Sequence, residues 1–346
     1  VAILDDMGAA TRQKSISLPG VRAWSGLVLA VLGVSGTSTY MRLAGADPLV
    51  TAFWRLALSV LLLLPLQMWR RRNKVTIVGT RLRGYDDQGQ HSSPVQADAG
   101  IHHASSAGML QQLRLSPVTT LAGTFLAVHF ALWVTSLSMT SVLSSLVFVT
   151  MSPLFVAVLD LILFRGRTSP LLWVAVGVAT AGGVFIGVQS GTTANTGNLL
   201  ALGGALAASL YLIVGRKASR DIDPVSYNVG AFGWAALLTG IACLAAGRPL
   251  LPLSGTAFLW LAVTALLGQT IGHGLINASL RSFQPQFVAL MLLWEPILGS
   301  LLAFLVLGDR PGPAELVGGA VILAGLVVGI VSGRRSAGEG SVGQPL

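Results

Sequence analysis

Residues 286–331 read QFVALMLLWEPILGSLLAFLVLGDRPGPAELVGGAVILAGLVVGIV. Two long apolar runs flank the short charged turn Gly308-Asp309-Arg310, and each is close to the ~20 residues that a helix needs to cross a ~30 Å hydrocarbon core. Runs of this length recur along the chain, at 24–41, 48–69, 118–136, 141–164, 171–188, 198–214, 225–246, 257–278, 286–307 and 314–331. These are spans 1 to 10. They predict an all-α integral membrane protein whose main solvent is the lipid bilayer.

The same stretch reveals an internal repeat. Moving the chain by 143 positions sets Pro153 on Pro296, Arg167 on Arg310 and Pro170 on Pro313. Val174, Val178, Ala181 and Gly182 then fall on Val317, Val321, Ala324 and Gly325. Each half contains a proline-interrupted helix, a charged turn, a proline and a helix of small residues. Asp47-Pro48 and Asp223-Pro224 each introduce the second span of their half. Five spans per unit is an odd number, so the second unit enters the membrane inverted. Inverted repeats are the common plan of alternating-access transporters, with substrate held near the midplane between the units.

Charge and composition agree. Of the 346 residues 53% are hydrophobic and 10% charged, against roughly 25% charged in soluble domains. With the N-terminus in the cytoplasm, 18 of the 22 Lys and Arg residues fall inside and three, Arg42, Arg248 and Arg310, outside, while Arg55 lies within span 2. The positive-inside rule therefore predicts both termini cytoplasmic, in the inner membrane. The net charge of +9 is read as a topology signal, with no nucleic-acid partner. The expected organisation is a tail at 1–21, a first unit at 22–189 with a polar loop at 70–117, a second unit at 198–332 and a tail at 333–346. The first tail has no apolar core of a signal peptide, leaving span 1 to direct insertion. The 70–117 loop is too polar to order itself, and its basic start suits lipid headgroups.

Two units of five helices with these motifs resemble the drug/metabolite transporter superfamily, in particular its EamA-type members. The resemblance rests on Arg55 in FWRLALSVLLLLPL, Pro153 in TMSPLFVAVLDLILFRGR, and Glu295-Pro296 in LWEPILGSLLAFLVLGDRPGPAELVGGAVILAGLVVG. Where the family usually has Gly-Glu-Arg, the first unit has Arg165-Gly166-Arg167; the second has the closer Gly308-Asp309-Arg310. The resemblance implies a secondary transporter, exporting a small amphipathic metabolite such as an amino acid. The alternatives are a sugar or sugar-phosphate carrier and a membrane scaffold that transports nothing. A phosphorylated substrate calls for several intramembrane cations, and only Arg55 is present.

Charges inside hydrocarbon are costly and mark candidate sites. Glu295 lies near the middle of span 9, too deep to reach water by snorkelling. It must be protonated, paired or hydrated, which suits either a substrate or proton-coupling role or a structural one at the Pro296 break. Arg55 either anchors helices or pairs with such an acid. Asp160 lies one turn from the end of span 4, within reach of the interface. In span 8, Gln269, His273 and Asn277 repeat every four residues and share one α-helical face. His129 and Trp133 in span 3 fall on His273 and Asn277 at a shift of 144. This set predicts cavity lining, with interhelical hydrogen bonding as the plainer reading. Trp54, Trp133, Tyr211 and Trp294 are candidate cavity walls, and Trp24, Trp69 and Trp260 suit the interfacial belt.

Small-residue faces at Gly183 and Gly187, and at Gly325 and Gly329, predict close helix packing and leave room for a homodimer. Cys243 is the single cysteine, which excludes an internal disulfide and a cysteine metal site. His102-His103 has no spaced third ligand. No nucleotide loop, HExxH pair or nucleophile elbow is present, so neither enzyme chemistry nor a cofactor or metal is expected.

Overall fold

The computed structural model describes residues 21–86, 116–164, 170–189, 191–251, 253–283, 287–288 and 291–339. Every regular element among them is helical. Seven helices are long and apolar enough to cross a bilayer: Val21–Ala44, Pro48–Arg70, Pro117–Ser136, Val142–Leu159, Thr192–Ser219, Pro224–Ala245 and Gly255–Ser279. Three shorter apolar helices, Trp173–Gln189, Trp294–Leu307 and Pro313–Val328, fall on spans 5, 9 and 10. The protein is thus a multi-pass membrane protein with the ten helical segments expected.

The two Asp-Pro pairs start their helices by the same chemistry. The Leu49 N–H donates to Asp47 Oδ1 at 2.9 Å, and the Val225 and Ser226 N–H groups donate to Asp223 Oδ2 at 3.2 Å. The proline after each aspartate sits where its missing N–H costs nothing. Pro153 and Pro296 stand at breaks in their spans, where the ring excludes the hydrogen bond to the carbonyl four residues back, whereas Pro65 sits inside the continuous helix of span 2. Span 4 divides into Val142–Val149 and Ser152–Phe164, and the regular helix of span 9 starts at Trp294. The orphaned Val149 carbonyl accepts from Ser152 Oγ at 2.9 Å. The orphaned Leu292 carbonyl accepts from the Glu295 N–H at 2.9 Å.

Packing follows the repeat. Spans 1 and 8 pack together, as do 3 and 6; 2 pairs with 7, 4 with 9, and 5 with 10. Exchanging the two units turns the first of these pairs into the second and leaves the other three unchanged. Two ion pairs obey the same exchange. Arg248, just past span 7, reaches Asp47 at the head of span 2 at 3.4 Å, and Arg70, at the end of span 2, reaches Asp223 at the head of span 7 at 3.6 Å. Spans 2 and 7 therefore run antiparallel, as inverted units require.

Spans 5 and 10 approach closely through Gly182, Gly318 and Gly325. A Cβ on Gly182 would stand 2.7 Å from the Gly318 carbonyl oxygen, and one on Gly318 2.9 Å from that of Gly182. Gly183 faces Phe148 instead and Gly187 faces Asn195, so on span 5 the close face lies one residue away from the expected one, while Gly325 of span 10 lies on it as expected; the Gly329 side chain is outside the described set. The helix of span 2 continues to Asp86, into the connection expected to be disordered from Arg70. No proline stops it there, and extending a helix already nucleated costs little. The rest of that loop with His102-His103, the turn with Arg165 and Arg167, the two terminal tails at 1–20 and 340–346, and the Asp160 side chain lie outside the described residues.

Candidate functional site

A central cavity of about 70 Å³ lies between the units, room for several waters at ~10–15 Å³ each. Its walls come from spans 1, 3, 4, 6, 8 and 9, which are three pairs of repeat mates. Spans 4 and 9 meet it at their proline breaks, through Thr150, Ser152 and Pro153 on one side and Leu292 and Glu295 on the other. The breaks thus bring backbone turns and polar side chains to a surface that unbroken apolar helices would have sealed.

Most of the wall is apolar, with Val34, Leu126, Val149, Leu212, Ile276 and Leu292 among the lining residues. His129, Trp133, Tyr211, His273 and Glu295 interrupt it. Glu295 stands in the first turn of the helix Trp294–Leu307, where the helix N-terminus favours a negative charge. His129 approaches the Gly204 carbonyl through Nδ1 at 2.9 Å. A carbonyl only accepts, so that nitrogen carries a proton. The Tyr211 hydroxyl accepts from Asn277 Nδ2 at 2.6 Å.

Arg55 is fully buried behind this wall. Its guanidinium carbon lies 3.9 Å from the centre of the Phe130 ring and 5.7 Å from that of Trp133. Nη1 reaches the Met41 sulfur at 3.6 Å, while Nε and Nη2 have no partner among the described residues. Glu295 makes no ion pair with Arg55 within contact distance among the described residues. Phe130 is the hub of the group: His273 meets its ring edge-on at 5.3 Å, and His129 lies tilted at 4.7 Å. The His129 and Trp133 rings stack at 5.7 Å.

The structure therefore gathers Glu295, His273, His129, Trp133 and Tyr211 on one cavity, with Arg55 behind them. Other candidates stand elsewhere. Residues Thr264–His273 of span 8 form a π-helix, whose wider turn breaks the four-residue register of an α-helix. Gln269 is fully buried and absent from the cavity lining, and neither amide atom has a partner among the described residues. Asn277 ties spans 6, 7 and 8 together, donating to Tyr211 and, at 2.6 Å, to Asn228 Oδ1. Trp54 donates its indole N–H to the Leu250 carbonyl at 3.0 Å and packs on Phe258, outside the cavity lining. Trp294 is 53% exposed and does not line the cavity.

Sequence reading missed two participants. Phe130 looks like any core phenylalanine, although its place between His129 and Trp133 was visible. Asn228 is a lone amide inside an apolar span, and that polarity was the available signal. Among the described residues no three His, Cys, Asp or Glu side chains gather as a metal site.

Comparison with known proteins gives a family match and a fold match. Residues 195–331 match the EamA-like transporter family, which supports membership of the drug/metabolite transporter superfamily. A solved crystal structure is similar at a TM-score of 0.59 and 16% identity, over 91% of this chain and 99% of that one; at that identity the likeness is one of fold alone. No curated protein matches the chain.

Proposed function

We propose that this member of the drug/metabolite transporter superfamily, EamA-like across its second unit, is a secondary transporter exporting a small amphipathic metabolite of the amino-acid kind. One observation carries the reading: a cavity at the repeat interface, apolar over most of its wall, with one buried carboxylate, two imidazoles and a phenol on it. An apolar body fits such a wall, an amine suits Glu295, and the aromatic rings of Trp133 and Tyr211 accept a cationic or apolar group.

In this reading the two units rock about the cavity in the inner membrane, with both termini in the cytoplasm. Glu295 exchanges a proton for the substrate amine, making the proton gradient the driving force. In this reading Arg42 closes the outer face. Its Nη1 donates to Asp309 Oδ2 at 3.0 Å and its Nη2 to the Leu137 carbonyl at 3.0 Å. Ser141 Oγ donates to Glu315 Oε1 at 2.6 Å beside it. A sugar-phosphate substrate is disfavoured because Arg55, the one buried arginine among the described residues, faces Phe130 and does not line the cavity.

Purified protein in proteoliposomes, loaded in turn with amino acids of each side-chain class, tests the proposal. Saturable counterflow of an apolar or aromatic amino acid supports it. Flux of sugar phosphates alone, or no flux of any solute under an imposed proton gradient, overturns it. Impermeant thiol labelling of a cysteine placed in the 87–115 segment of intact cells tests the orientation; labelling from outside would put both termini on the outer side and invert the topology.

A further inference from the structure

Most polar side chains on the wall of the central cavity already have a partner. Thr150 Oγ1 donates to the Leu146 carbonyl at 2.8 Å and Ser152 Oγ to that of Val149 at 2.9 Å. His129 Nδ1 is held by the Gly204 carbonyl, and the Tyr211 hydroxyl accepts from Asn277. Two donors of the first unit differ. The Thr37 hydroxyl and the Trp133 indole N–H have no partner among the described residues, although Thr37 is 1% exposed and Trp133 3%. Buried donors are almost always paired, and one left unmet costs more than a typical bond returns. His273 Nδ1, of the second unit, is unmet as well, but an imidazole nitrogen either donates or accepts and so selects no charge.

The fold holds both donors in place. Span 1 is divided at Gly36 into the helices Val21–Ser35 and Thr37–Ala44, so Thr37 opens the outer piece at the cavity. Gly268 of span 8 leaves room for its hydroxyl, with which a Cβ at that position would collide. Trp133 stacks on His129 at 5.7 Å, and the Arg55 guanidinium carbon lies 5.7 Å from its ring centre. An indole offers an apolar face to its neighbours and a single N–H donor on its edge. The positive charge behind this wall favours an anionic group in front of it. Among the described residues no Lys or Arg lines the cavity itself. Neutral donors with a cation behind them suit a singly charged carboxylate better than a phosphate, which calls for cations in direct contact.

Glu295, the acid on the wall, belongs to the second unit, whereas Thr37 and Trp133 belong to the first. We propose that Thr37 and Trp133 bind the carboxylate of an amino-acid substrate whose amine lies at Glu295. This rests on the function proposed above and narrows its substrates to zwitterions. Each end of the substrate is then held by a different unit, so a zwitterion ties together the two surfaces that move past each other in alternating access. An amine without a carboxylate engages Glu295 alone and leaves both buried donors unmet. A site built to hydrogen-bond one group rejects most strongly the analogue that lacks it.

Counterflow of labelled phenylalanine and leucine into proteoliposomes of the purified full chain tests this. The competitors are two pairs that differ only by the carboxylate, phenylalanine with phenethylamine and leucine with isoamylamine. In the wild type the amino acid should inhibit at a concentration about tenfold or more below that of its amine. Trp133→Phe keeps an aromatic ring and removes the N–H, and Thr37→Val keeps the shape and removes the hydroxyl. Each should raise the half-inhibitory concentration of the amino acid several-fold more than that of the amine, which narrows the gap. Trp54→Phe removes an indole N–H that the Leu250 carbonyl takes outside the cavity, and should leave the gap as it is. Thr37→Val alone decides the case if Trp133→Phe fails to fold. An amine that competes as well as its amino acid in the wild type, or variants that weaken both members of a pair alike, overturn this proposal and leave the transporter reading standing. Absence of counterflow for both tracers overturns that reading, and this proposal with it.

Discussion

Arg55 holds its guanidinium carbon 3.9 Å from the centre of the Phe130 ring, in a position with no solvent exposure. A desolvated cation–π contact contributes ~2 kcal/mol, less than the several kcal/mol that burying the charge costs. Two of the guanidinium nitrogens also lack a protein partner among the described residues. Packing alone does not explain an arginine here. Its position offers a reason, since it stands directly behind the aromatic wall of the cavity that Glu295 and both histidines line.

Arg55→Met should accordingly separate stability from transport. The unbranched side chain fills similar space and removes the unmet donors, so the melting temperature should stay within about 3 °C of the wild type or rise. Transport should fall at least roughly tenfold. A variant that melts normally and transports normally would reduce Arg55 to a space-filling residue.

Span 8 supplies a contrast between two residues of one expected stripe. His273 lines the cavity, whereas Gln269 is buried apart from it with both amide atoms unmet among the described residues. Gln269→Leu removes a buried amide without partners, so thermal stability should hold or increase. His273→Ala should raise the half-saturating substrate concentration several-fold, with about the same yield of folded protein. Equal losses of affinity in both variants would place Gln269 in the site after all.

That contrast shows where sequence reading stops. The ten spans, the two Asp-Pro helix starts and the two proline breaks were legible, because hydropathy, capping and a missing N–H act locally. Glu295, His129 and His273 were legible as candidates because polarity inside hydrocarbon needs a reason. The face that each presents was not. A four-residue stripe assumes α-helical geometry, and nothing in TALLGQTIGH announces a π-helix. Trp54 and Trp294 could not be sorted from Trp133, since an aromatic ring is equally at home against lipid, a loop or a cavity. Phe130 became visible only through the four side chains that surround it.

The proposed outer closure rests on a half-buried ion pair, which by itself contributes only about 1 kcal/mol. Its value lies in joining the end of span 1 to the turn between spans 9 and 10. Asp309→Asn keeps an oxygen for the Val142 N–H, which donates to Asp309 Oδ2 at 3.0 Å, and removes the charge. In a Cys243→Ser background, Ala208→Cys places a thiol on the cavity wall. Impermeant maleimide applied outside intact cells should label that thiol several-fold faster when Asp309→Asn is added. An unchanged labelling rate would mean that the pair does not hold the outer face closed.

Glu295 is where the proline break, the cavity and the buried charge meet. It stands where Pro296 breaks span 9, its own N–H satisfies the Leu292 carbonyl that the proline orphaned, and it lines the central cavity. In the proposed cycle this carboxyl releases a proton when an amine arrives and recovers it when the amine leaves. Glu295→Gln keeps the size and most of the hydrogen bonding and deletes the titration. The variant should fold with a melting temperature near that of the wild type and lose proton-driven accumulation. Its residual exchange should be flat with pH across the range in which the wild type varies, and amine-free analogues should compete as well as amines. If Glu295→Gln accumulates substrate with the wild-type pH profile, Glu295 serves the proline break alone and the proton is carried elsewhere.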